Sequence, residues 1–238
     1  MGAIDEEPWD IYREIHKATR LVLCRAVMAA GCADATSEDD IDGVRRAVDD
    51  VSFVLRGHHG HERDFVDELV DRHAPELRAE VEAGHEASDA ALDDVEALLG
   101  RVAAEPAAGR NPMLHRLYLD LALLTATYLV HLDLEERRVM PALNAAMSRD
   151  ELVQLTDELR GSVPPPEMCR FMQSMLPAMN VAERADMLGG MSQAPPEVWD
   201  QFRNAAAEAL SADDYDAVAR RIGITPSTPA GSASNASG

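Results

Sequence analysis

The sequence predicts an all-α protein, an antiparallel up-down four-helix bundle with additional short C-terminal helices. Three observations predict it. The 238 residues are 46% hydrophobic but only 4% aromatic, a composition that suits Ala- and Leu-rich helices better than strands, which draw on aromatic and β-branched side chains. Long stretches repeat apolar residues at helical spacing. Four of these stretches each carry a histidine near mid-length, at His16, His58, His85 and His131, and short connections between long helices imply alternating directions.

Pro8 is suited to the N1 position of a first helix, which Ile11, Tyr12, Ile15, Leu23 and Val27 continue to about Ala30. Ser37 with Asp40 resembles a capping box and starts a second, through Val44, Val51, Val54 and Leu55 toward His58 and Glu62. Gly57 and Gly60 leave room there for a partner helix or ligand, or allow a kink. Pro75 ends that helix and opens a third, from Leu77 through His85 to Gly100. Asn111-Pro112 reads as a cap followed by N1, starting a fourth that carries Leu114, Leu117, Leu121, Leu124, Tyr128, His131 and Glu135 on nearly one stripe. After residue 147 five short helices are expected. Ser148 with Glu151, Pro164-Pro165-Pro166, Asn180 with Glu183, Pro195-Pro196 and Ser211 with Asp214 mark their starts, and the last ends near Ile222. Their methionines, Met168, Met172, Met175, Met179, Met187 and Met191, read as adaptable core. The predicted division is therefore a bundle over 8–147, a helical extension packed on it over 148–222, and a disordered tail over 223–238, rich in Ser, Ala and Gly.

The chemistry lies in two pairs, His58 with Glu62 and His131 with Glu135. Residues i and i+4 share a helix face, so each pair presents a nitrogen and an oxygen in one direction, as a metal site requires. Each glutamate lies on a stripe otherwise made of apolar residues, where an uncompensated carboxylate would cost many kcal/mol; a metal pair removes that cost. Imidazole and carboxylate without thiolate suit iron, manganese or zinc, and facing carboxylates suit a pair of ions.

The order His16, His58-x-x-x-Glu62, His85, His131-x-x-x-Glu135 resembles the hemerythrin-like (HHE cation-binding) family over residues from about 8 to about 146. The resemblance implies a non-heme diiron centre, two iron ions joined by an oxo or hydroxo bridge, with those four histidines as terminal ligands and Glu62 and Glu135 as bridges. It implies binding of dioxygen, peroxide or nitric oxide. Where blood-type oxygen carriers have a second histidine four residues after the first on their third helix, this chain has Asp89, a candidate further ligand that sets it apart from reversible carriage. Tyr128, i−3 from His131, is a candidate to hydrogen-bond a bound oxygen species. The alternatives are a diiron oxidase or oxygenase acting on a small organic substrate in a pocket completed by the C-terminal helices, and an oxygen or iron sensor or store.

His59 and His61 lie about 100° and 300° around the helix from His58 and are expected to face solvent or a neighbouring helix. His73 lies about four turns from His58 and His115 about four turns before His131, and both read as surface or interhelical hydrogen bonders. A net charge of −21 repels phosphate backbones and anionic lipids, which argues against nucleic acid as a partner. The first residues lack a basic segment followed by an apolar core, and the apolar run Leu121–Val130 is too short to span a bilayer. A cytoplasmic location without membrane contact is expected. Cys24, Cys32 and Cys169 lack metal-site spacing and read as reduced packing thiols.

Overall fold

The computed structural model describes Pro8–Ile224, so all but the first two residues of the tail expected over 223–238 lie outside the described residues. Among the described residues every regular element is helical. They form two compact units, one ending at Val163 and the other beginning at Pro164.

The first unit contains α1 (Arg13–Cys32), α2 (Glu38–Phe65), α3 (Asp67–His73), α4 (Arg78–Ala104) and α5 (Ala107–Leu134), then a π-helical turn (Glu135–Val139), α6 (Met140–Ala146) and α7 (Arg149–Ser162). α1 packs on α2 and α5, and α4 packs on α5 and α2. Ser37 caps α2 as its sequence predicts, its side chain accepting from the Asp40 N–H. Other boundaries differ. α1 starts at Arg13 instead of Pro8, after Asp10 accepts from the Tyr12 N–H. α2 breaks at Val66 into the separate α3. α5 begins at Ala107 behind Pro106, which leaves Pro112 inside the helix with one backbone bond missing.

Two apolar clusters fill this unit. One holds Val22, Leu23, Leu55, Leu92, Leu117, Leu121 and Tyr128; the other holds Tyr12, Val66, Val70, Val81, Val139, Leu143 and Leu152. Along α1 and α4 the chain passes from the second cluster to the first, and along α2 and α5 from the first to the second. On all four helices the polar residues singled out above fall where the clusters meet.

α7 belongs to this unit, so the division lies one helix later than the sequence suggests. Leu152 enters the second apolar cluster, Trp9 Nε1 donates to Thr156 Oγ1 at 2.9 Å, and Arg160 pairs with Glu14 at 2.6 Å.

Together, residues 107–146 form the one helical run among the described residues long and apolar enough to cross a membrane, longer than Leu121–Val130 alone suggests. The face bearing Leu114, Leu117, Leu121, Leu124 and Tyr128 is buried in the core.

The second unit comprises α8 (Pro165–Ala178), α9 (Val181–Met191), α10 (Pro196–Ala209) and α11 (Ala212–Ile222). With α7 these are the five short helices expected, and capping boxes at Ser148–Glu151 and Asn180–Glu183 start two of them. Gly223 adopts the left-handed conformation that ends α11, with φ of 73°. Met168, Met172, Met175, Met179 and Met187 are buried with Phe171 and Phe202, as core methionines should be. The three cysteines are free, and Cys24 and Cys32 are exposed instead of packed.

Candidate metal centre

The six residues predicted as ligands converge. His16 comes from α1, His58 and Glu62 from one face of α2, His85 from α4, His131 from the last turn of α5, and Glu135 from the π turn; all are buried. Glu135 lies at the middle. Its Oε2 is 3.2 Å from His16 Nε2 and 3.9 Å from His58 Nε2, while its Oε1 is 2.9 Å from His131 Nε2 and 3.5 Å from His85 Nε2. Glu62 Oε2 likewise approaches His85 Nε2 at 3.0 Å and His58 Nε2 at 3.7 Å.

The donors sort into two overlapping groups, His16, His58 and Glu135, and Glu62, His85, His131 and Glu135, within each of which the ligand atoms lie within 4.8 Å of one another. Each group can hold a metal ion. The hydrogen-bonding of these atoms supports that reading. Both oxygens of Glu62 and of Glu135, both ring nitrogens of His131 and Nε2 of His85 are buried without a well-aligned hydrogen bond. Buried polar atoms left unpaired are costly, and a cation among them would satisfy this set at once.

Electrostatics points the same way. Burial and the nearby Glu135 carboxylate raise Glu62 to about 8. Burial would also raise Glu135, but His131, His16 and His85 outweigh it and hold Glu135 well below the usual carboxylate range. Burial lowers His16 and His85, yet the surrounding carboxylates win and raise them to about 9 and about 10. Without a cation, protons on imidazoles supply the compensating positive charge. All three raised values lie above neutrality, so a cation arriving at pH 7 must displace protons. Cation binding should therefore release protons and tighten as pH rises from 7 toward 10. Calorimetry of cobalt(II) binding in buffers of different ionisation heat tests this, and binding without proton release would contradict it.

The π turn has a local cause. Pro141 cannot donate to the carbonyl four residues back and its ring crowds that carbonyl; the helix widens just before it, with Met140 N–H bonded to Glu135 O. Such turns recur at functional sites. Here Glu135 and its neighbour Glu136 both face the centre. Glu136 Oε1 is 2.8 Å from His16 Nδ1, and its two oxygens accept from both terminal nitrogens of Arg20 at 2.7 and 2.8 Å. A carboxylate on the far nitrogen of an imidazole fixes ring and tautomer in metal sites. Burial opposes it, yet His16 and Arg20 hold Glu136 down at about 2. Tyr12 stacks on His16 with ring centres 4.7 Å apart. Helical spacing in the sequence marks Tyr12 only as a packing residue.

Of the two surroundings expected for His59, solvent or a neighbouring helix, the structure shows the second. It is buried, with 1% exposure, because its direction on α2 meets α4 and α5 and not solvent. Its ring centre lies 4.3 Å from that of His85 with the planes tilted by 35°, and its nitrogens contact Asp89 Oδ1 at 3.0 Å and Tyr128 Oη at 2.9 Å. The two candidates beyond the six are thus both engaged by His59. Asp89 does not join the ligand clusters with His85, and the Tyr128 hydroxyl has a protein partner. His61, His73 and His115 lie outside every cluster that could hold an ion among the described residues.

Of Gly57 and Gly60 on α2, Gly60 has no close neighbour. A Cβ on Gly60 would meet open space, whereas one on Gly84 would fall 2.3 Å from His131 Nδ1. Comparison of the chain with protein-family models, with curated proteins and with solved structures gives no match, so the reading of this centre rests on its own geometry.

Proposed function

We propose that this chain is a hemerythrin-like non-heme diiron protein that binds dioxygen or a related small molecule such as peroxide or nitric oxide. The observation that carries it is Glu135, whose two oxygens divide between two imidazole pairs, His16 with His58 and His85 with His131. Such a carboxylate is built to serve two ions. Glu62, approaching one imidazole of each pair, is the second bridge. The reversal of apolar clusters from helix to helix supports an antiparallel up-down four-helix bundle, with the ligands brought to one level.

Iron is the metal favoured by the resemblance in ligand order and is compatible with an all-nitrogen-and-oxygen donor set. When bound, a ferrous pair supplies electrons and open coordination positions to a small molecule. The residues of the chain do the rest. Glu136 and Arg20 hold His16 in place, and Tyr12 covers its ring. Leu55, Leu132 and Val139 belong to apolar clusters on either side of the polar layer, limiting water and strengthening each electrostatic contact.

Iron-loaded, anaerobically reduced protein should change its visible spectrum on exposure to dioxygen, peroxide or nitric oxide, with uptake saturating in proportion to the iron bound. A spectrum matching that of dissolved ferrous iron under the same gases would count against this function.

A further inference from the structure

His59 is the one buried histidine at the centre left without a role by the six-ligand arrangement. A ring nitrogen of it lies within 4.8 Å of ring nitrogens of both His85 and His131, so the three imidazoles alone form a group able to hold an ion. The carboxylate of Asp89 sits on His59 Nδ1 at 3.0 Å. With Nδ1–H donating to that carboxylate, Nε2 carries a lone pair, which accepts from the Tyr128 hydroxyl at 2.9 Å. This is the orientation metal-binding histidines take, one nitrogen fixed by a carboxylate and the other free to coordinate. His16 shows the same pattern, its Nδ1 on Glu136 and its Nε2 beside Glu135.

We infer that His59 is a seventh protein ligand, donating Nε2 to the divalent cation held by His85 and His131, with Asp89 as its positioning residue and Tyr128 as the group it leaves on coordination. This rests on the two-ion reading above and adds a third imidazole to one position. The distinction matters because Asp89 stands where a ligand was expected four residues after His85. The carboxylate serves the centre through a histidine of the neighbouring helix.

The test uses the full chain loaded anaerobically with cobalt(II), whose ligand-field spectrum reports donor number, together with chelator competition for each ion. His59→Gln should weaken one of two ions by about 100-fold or more, beyond the 10–100-fold typical of losing a positioning partner, and should change that ion's spectrum while sparing the other. Asp89→Asn should weaken the same ion by about 10–100-fold. Tyr128→Phe, which removes the group competing for the lone pair, should bind it at least as tightly as wild type. Should His59→Gln fail to fold, the other two variants decide the matter, since His59 ligation demands opposite responses from them. Wild-type affinity and spectrum in His59→Gln, or in Asp89→Asn, would overturn the assignment while leaving two-ion binding intact. Weakening in Tyr128→Phe would overturn it in favour of the phenol. Failure of the wild-type chain to take two ions would overturn the two-ion reading itself.

Discussion

Glu135→Gln should abolish tight binding at both cation positions and also lower the stability of the cation-free fold. The substitution keeps side-chain volume and removes only the charge. In the wild type that charge is fully buried and touches both imidazole pairs, so its loss weakens both positions at once, each by more than the 10–100-fold seen when an outer partner of a ligand is lost. Without a cation His131, His16 and His85 compensate the Glu135 carboxylate and hold it ionised, so the amide leaves those imidazoles without their partner and the cation-free variant loses stability at pH 7. Cation affinity and cation-free stability should therefore fall together. A cation at a hundred times its dissociation constant stabilises the folded chain by about 2.7 kcal/mol per site, and thermal unfolding with and without cobalt(II) should show this increment in wild type and not in the variant. Loss of only one ion would mean that Glu135 is not shared.

Gly84→Ala should remove the ion served by His85 and His131 and spare the one served by His16 and His58. The added Cβ would lie 2.3 Å from His131 Nδ1 and 3.0 Å from its Cε1, nearer than nonbonded atoms come. The imidazole must turn away, carrying Nε2 from its place 2.9 Å from Glu135. Alanine is otherwise the better helix residue, by about 1 kcal/mol, so α4 itself should not suffer. Metal analysis after desalting should find half the wild-type content, and a full complement would show that the ring has room to adapt.

These residues also show what the sequence could reveal. His58 with Glu62 and His131 with Glu135 were legible because helical spacing alone puts both members of each pair on one face. His16 and His85 were legible as single positions on apolar stripes matching an ordered motif. The angle of about 100° between His58 and His59 does not by itself tell which neighbours His59 meets. Ser52, Leu55, His59 and Glu62, spaced by three, four and three residues, are all buried on α2, and that stripe was the available signal. α2 meets other helices over a wide arc, so a direction 100° from one ligand still points inward.

Glu136 required the π turn, whose cause, Pro141, stands in the sequence but whose effect on the two glutamates does not follow from α-helical geometry. Gly84 could not be singled out at all, because its role depends on where a side chain 47 positions later comes to rest. The starts of the short helices were readable from their caps, since Ser148, Asn180 and Ser211 each act within three residues. The boundary between the two units was not, because α7 joins the first through contacts with Trp9 and Glu14, about 147 residues away.

In the proposed centre two irons share Glu135 within one chain. Protein produced with sufficient iron, purified without air and analysed for metal content and by Mössbauer spectroscopy tests it most directly. Two irons per chain, magnetically coupled once oxidised, is the predicted result, whereas a single zinc with no iron, or two uncoupled irons, would contradict it.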